Sequence, residues 1–151
     1  MRLIMLSGAL LGPSLAGAQT AVSTWHNDLA RTGANMQETV LTPSNVNSNG
    51  FGKRCAYPVD GQIYAQPLYI PRLRIGGATH NVVFAATEHD SVYAFDADCS
   101  QTVPLWHTSF LGAKITSMPC TKDSQPQCDI TIIAPEHGIT ATPAIDPFKH
   151  T

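Results

Sequence analysis

IYAQPLYIPRLRIGGATHNVVFAATEHDSVYAFDADCSQTVPLWHTSF, Ile63 to Phe110, is the stretch that decides the fold. It divides into IYAQPLYI (Ile63–Ile70), NVVFAAT (Asn81–Thr87), SVYAFDA (Ser91–Ala97) and PLWHTSF (Pro104–Phe110). Each segment is short, rich in β-branched and aromatic residues, and bounded by turn formers, which predicts a strand. Only Glu88, His89 and Asp90 separate the second from the third, room for a tight hairpin and nothing else. Gly76-Gly77 falls in a longer link between the first two, and Asp98 to Val103 joins the last two. Four antiparallel strands in succession form a meander, the unit of a β-propeller blade. A hairpin pair within an ordinary sandwich is the competing arrangement.

The flanking chain extends this pattern. Residues 19–50 are polar and irregular, and FGKRCAYPV (Phe51–Val59) reads as a lone strand of the kind that completes a propeller's closing blade. After the full blade, 63–110, comes an insertion, 111–138, carrying two cysteines and three prolines. A connection of that length is uncommon in a compact domain and is often functional. ITATPAIDP (Ile139–Pro147) then repeats IYAQPLYIP: Ile139 aligns with Ile63, Ala141 with Ala65, Pro143 with Pro67 and Pro147 with Pro71. A recurring I-x-A-x-P-x-x-x-P marks 139–151 as the start of the next blade. The expected fold class is therefore all-β, a partial β-propeller: one four-stranded antiparallel blade plus parts of its two neighbours. Because so few blades cannot close a ring, the chain reads as the N-terminal part of a longer protein, with the remaining propeller blades as its partners, or as a truncated reading frame, with an oligomer that completes the ring as the other arrangement.

Composition agrees. Hydrophobic residues make up 43% and charged residues 13%, with eleven Gly and eleven Pro, a balance that suits a turn-rich β protein. Net charge is −2 and no basic run exists, which argues against nucleic acid or an anionic membrane as partner. Residues 1–18 read as a signal peptide: Arg2 leads, Leu3 to Leu15 is mostly apolar, and Ala16-Gly17-Ala18 fits a small-x-small cleavage site. No later segment is apolar for long enough to span a bilayer, so the protein is expected to be exported. In an oxidising compartment Cys55, Cys99, Cys120 and Cys128 pair as disulfides. Three pairings are open. The polar loop between Cys120 and Cys128 closes locally, which favours that bond and leaves Cys55–Cys99. A zinc site lacks the close C-x-x-C spacing it would favour.

The residues now quoted resemble a known family. NVNSNGFGKRCAYPVDGQIYAQPLYI, then NVVFAATEHDSVYAFDA and PLW, is similar to the N-terminal blades of the quinoprotein alcohol dehydrogenase-like β-propellers, built from pyrroloquinoline quinone repeats. The repeat core is Val92-Tyr93-Ala94-Phe95-Asp96-Ala97, followed by Trp106. The resemblance implies a propeller in which Trp106 docks one blade against the next. It looks closer still to exported bacterial proteins whose mature N-termini read like WHNDLARTGAN (Trp25–Asn35) and LTPSNV (Leu41–Val46). For the dehydrogenases it implies pyrroloquinoline quinone and Ca²⁺ in the full-length protein, with neither held by this piece. Three features depart from that pattern. Tyr64 stands where the dehydrogenases carry a quinone-contacting acid, their adjacent-cysteine pair is missing, and Asp98–Val103 replaces the usual Thr-Gly link.

Strand alternation places the loops after the second and fourth strands at one end of the blade. Glu88, His89 and Asp90 thus share a face with Asp129, Glu136 and His137 of the insertion. As a cation site their oxygens would suit Ca²⁺; as ordinary loop residues they need no ligand. His26 and Asp28 admit the same two readings. His107 reads as a half-exposed strand residue, and Tyr64, Tyr69, Tyr93 and Phe95 as packing between blades. No nucleophile elbow, phosphate loop or zinc-protease motif is present, and no catalytic residue is named. The expected function is an exported, non-catalytic propeller that binds protein or carbohydrate. The alternative is a pyrroloquinoline-quinone-dependent alcohol or sugar dehydrogenase.

Overall fold

A computed structural model of the chain describes residues 20–120, 133, 135–146 and 149. The expected signal peptide, Cys128 and Asp129 lie outside the described residues. Within them the chain is all-β, with no helix. Strands β1 (Leu68–Ile75), β2 (Ala78–Ala86), β3 (Ser91–Asp96) and β4 (Trp106–Ser109) form one antiparallel sheet in sequence order. Two short strands of the insertion, β5 (Met118–Pro119) and β6 (Glu136–His137), pair separately.

The β1–β2 hairpin differs from the sequence expectation. The first strand begins at Leu68 rather than Ile63 and runs past Ile70 to Ile75. Gly76 and Gly77, at φ +60° and +88°, are the whole connection, with Ile75 opposite Ala78. Two left-handed residues match the twist of the flanking strands, and glycine takes that conformation without a Cβ penalty. Pro71 lies inside β1 and has no N–H to give to the ladder. It is accommodated by a bulge, where the register slips between Ile70 and Leu73. Arg72 turns to φ 55° there and donates its N–H to the Asn81 side chain (3.1 Å). Residues 63–67 bond elsewhere: the Gln66 N–H donates to the Thr142 hydroxyl at 2.9 Å.

The β2–β3 turn is the expected hairpin. The Thr87 N–H donates to the Ser91 carbonyl (2.9 Å), and Asp90 sits at φ 50°, the left-handed third residue that lets a three-residue loop close. Register then assigns side chains to faces. Val82, Phe84 and Ala86 share one face with Leu68, Ala94 and Trp106; Val83 and Ala85 share the other with Tyr69, Tyr93, Phe95 and His107. Leu68, Val82 and Ala94 are fully buried on the first face. On the second runs an aromatic row: Tyr57 stacks on Phe95 (4.6 Å), Phe95 on Tyr93 (5.5 Å) and Tyr93 on His107 (4.3 Å).

Tyr57 belongs to the segment expected as a strand over Phe51–Val59. None of those residues forms a strand. The segment is instead pinned through side chains: Cys55 is disulfide-bonded to Cys99, and the Tyr57 hydroxyl donates to the Asp96 carbonyl. That disulfide is the predicted one; the companion Cys120–Cys128 bond falls on a residue outside the described ones. Trp106 meets Phe84 of its own sheet edge-on at 6.4 Å and keeps 43% of its surface exposed. Residues 138–146 return beside the sheet, with the Ile139 N–H on the Thr87 carbonyl (3.1 Å) and the Ile145 N–H on the Ser23 carbonyl (2.8 Å). Val22 and Tyr69 exchange two backbone bonds at the β1 edge (2.7 and 2.9 Å).

Candidate functional site

The three-residue turn after β2 and the insertion's β6 do meet at one end of the sheet. Glu88, first in the turn, is 1% exposed. Its Oε2 accepts from the Gly138 N–H (2.8 Å) and the Thr140 hydroxyl (3.0 Å), while Oε1 has no hydrogen-bond partner among the described residues. A buried carboxylate needs such donors, because leaving water costs more than most single contacts return. His89, next in the turn, places Nδ1 2.8 Å from Glu136 Oε1, and the other Glu136 oxygen accepts from the Ser117 hydroxyl. Asp90 closes the turn: its N–H donates to the Thr87 carbonyl (3.2 Å), and its carbonyl accepts from the Phe110 N–H (2.9 Å). His137 lies opposite Met118 in the β5–β6 pair.

Asp60, which precedes Gly61, is a site residue that the sequence reading did not single out. Its two oxygens accept from the Thr87 hydroxyl (2.9 Å) and the Ser91 hydroxyl (2.5 Å). Thr87 and Ser91 flank the turn and are fully buried. Two buried hydroxyls in an apolar sheet demand a partner, and that demand was the available signal. Glycine permits the close approach on both sides. A Cβ on Gly61 would lie 2.9 Å from the His89 N and Cβ, and one on Gly138 would lie 2.2 Å from the Glu88 carbonyl oxygen.

Electrostatics follow the contacts. The hydrogen bond to Glu136 raises the His89 pKa above its ordinary value, with burial opposing and the charges of Glu136, Asp60 and Asp90 assisting. The Ser117 hydroxyl, then His89, hold the Glu136 carboxyl below its ordinary value against the pull of burial. For Asp60, burial disfavours the anion, but the hydroxyls of Ser91, Thr87 and Tyr93 outweigh it and the pKa is lowered. Burial and the neighbouring Asp60 raise Tyr93. A cleft of about 300 Å³ opens between these elements, lined by Val59, Asp60, Gly61, Gln62, Glu88, Pro135 and Glu136.

No protein-family model, curated protein or solved structure matches the chain.

Of the six residues expected to gather here, Glu88, His89, Asp90, Glu136 and His137 come from the two elements that meet; Asp129 lies outside the described residues. Among the described residues no group of three or more His, Cys, Asp and Glu side chains is arranged to hold a metal ion. Asp28, the other candidate ligand, accepts from both the Thr32 N–H (3.1 Å) and the Thr32 hydroxyl, a self-contained turn. Beside it the His26 ring lies 3.7 Å from that of Trp25.

Proposed function

We propose that the four-stranded sheet is one blade of a quinoprotein-like β-propeller, and that the protein is an exported, non-catalytic scaffold for protein or carbohydrate ligands. The blade reading draws support from the repeat. Gln66 and Thr142 occupy equivalent positions in the two I-x-A-x-P segments, and they are hydrogen-bonded to each other at 2.9 Å. Side-by-side equivalents are what radial repetition produces. Other blades are then the natural cover for Trp106. The Cys55–Cys99 disulfide is compatible with an oxidising compartment, and among the described residues no helix is long and apolar enough to cross a membrane.

One observation carries the non-catalytic reading: the carboxylates at the turn end serve the chain's own donors. Glu88 holds Gly138 and Thr140, Glu136 holds His89 and Ser117, and Asp60 holds Thr87 and Ser91. Groups so engaged fasten the insertion and the segment before β1 onto the hairpin. Exposed Trp25, Tyr64 and Trp106 offer aromatic surface of the kind that ligand contacts favour.

Supplying the full-length protein with pyrroloquinoline quinone and Ca²⁺, then assaying dye reduction over alcohols and sugars, tests the proposal. We expect no turnover, and no shift in melting temperature with Ca²⁺. Turnover on any substrate would establish the dehydrogenase reading in its place.

A further inference from the structure

The chain changes character at residue 55. Downstream, the segment before β1 is tied to the sheet: Cys55 by its disulfide to Cys99, Tyr57 by stacking on Phe95, Asp60 by the Thr87 and Ser91 hydroxyls. Upstream, every residue from Asn35 to Arg54 is exposed. Among the described residues, the hydrogen bonds made by 36–54 stay within 35–54, as in Thr42 with Asn45 and Asn47 with Phe51. Lys53 and Arg54 stand at the boundary, both exposed. The other described basic residues of the folded part are differently placed. Arg72 and Arg74 lie within β1, Arg31 Nη1 donates to Thr24 Oγ1 and the Trp25 carbonyl (2.7 Å each), Lys114 lies in the tight turn closed by Gly112 and Ile115, and the Lys149 N–H donates to Asp146 Oδ1 (3.2 Å).

From this boundary we infer that the Lys53-Arg54 pair is a processing site for a protease of basic-residue specificity. Such an enzyme must draw several residues into its cleft in extended form, so it cuts where local opening is least costly. Opening 47–54 breaks short-range turn bonds and leaves the sheet intact. The reaction is hydrolysis: water adds across the amide after the basic residue, leaving a carboxylate on one side and an amino group on the other. The disulfide keeps the new N-terminal end against the sheet. The released piece is then an arm held near its own start, through Val22 with Tyr69, Ser23 with Ile145, and the His26 N–H on Gln66 Oε1 (3.1 Å). Its departure would uncover the β1 edge at Tyr69.

The test is limited trypsin digestion of the full chain under native, non-reducing conditions, with products followed by intact mass. The first products should end at Lys53 or Arg54. In Lys53→Gln/Arg54→Gln, cleavage should slow by about tenfold or more while the melting temperature holds, since the protease must then wait for less frequent opening around the remaining basic residues. A first cut at any other position, or a double variant cut as fast as the parent, overturns the inference.

Discussion

At the scale of single residues, the turn end of the sheet depends on close backbone approach and on buried acids with assigned donors. Gly138 has no room for a side chain, because a Cβ would meet the Glu88 carbonyl at 2.2 Å. Gly138→Ala should therefore destabilise the protein by about 1–3 kcal/mol, the usual cost of forcing atoms into packed structure; denaturant unfolding measures it. Glu88→Ala removes the acceptor for Gly138 and Thr140 and should cost about 2–3 kcal/mol, in the range for hydrogen bonds to a charged group. If it unfolds at the parent's denaturant midpoint, Glu88 is not the fastening described above. The His89–Glu136 pair adds a pH dependence. His89 is raised, so its contribution is complete below its ordinary value near 6.5 and is lost as pH climbs through the higher folded value. Glu136 is lowered, so its contribution is complete above its ordinary value near 4.5 and is lost as pH falls through the lower folded value. The melting-temperature gap between the parent and His89→Gln should thus be widest between those two values and narrow on either side. A gap independent of pH would sink this assignment.

At the scale of elements, the hairpins were legible to different degrees. The β2–β3 turn could be read because its two strands are apolar and only Glu88-His89-Asp90 lies between them. The β1–β2 hairpin was misplaced because LRI and ATH are more polar than the strands around them, and Pro71 is a breaker in most settings. Only the bulge, with Asn81 satisfying the Arg72 N–H, makes proline tolerable there. The segment Phe51–Val59 has strand-like composition yet pairs with no strand, since propensity cannot supply a partner edge. What secures it is the Cys55–Cys99 link across a sequence separation of 44. Closing a loop of that length constrains the unfolded chain by about 4 kcal/mol in the chain-entropy picture. Cys55→Ala/Cys99→Ala should accordingly lose roughly 2–4 kcal/mol in denaturant unfolding.

At the scale of the whole molecule, order should grade outward from the central strands. β3 is buried along most of its length and paired on both sides, whereas Leu29 and Met36 of the N-terminal arm are each 90% exposed. Hydrogen exchange should therefore be slowest at Val82–Ala86 and Ser91–Asp96 and fastest through 36–54. Equal protection in the arm would mean it is packed against something further. The amino-acid sequence by itself determined the all-β class, the central hairpin and the end of the sheet at which turn and insertion meet. Those follow from local composition and alternation, whereas four cysteines left three pairings open and the structure shows Cys55 with Cys99. Tertiary structure alone decided that Asp60 serves Thr87 and Ser91, that Glu88 binds Gly138 and Thr140, and that Gln66 touches Thr142. These contacts join residues far apart in the chain, and no local pattern encodes which distant donor a buried acceptor will find.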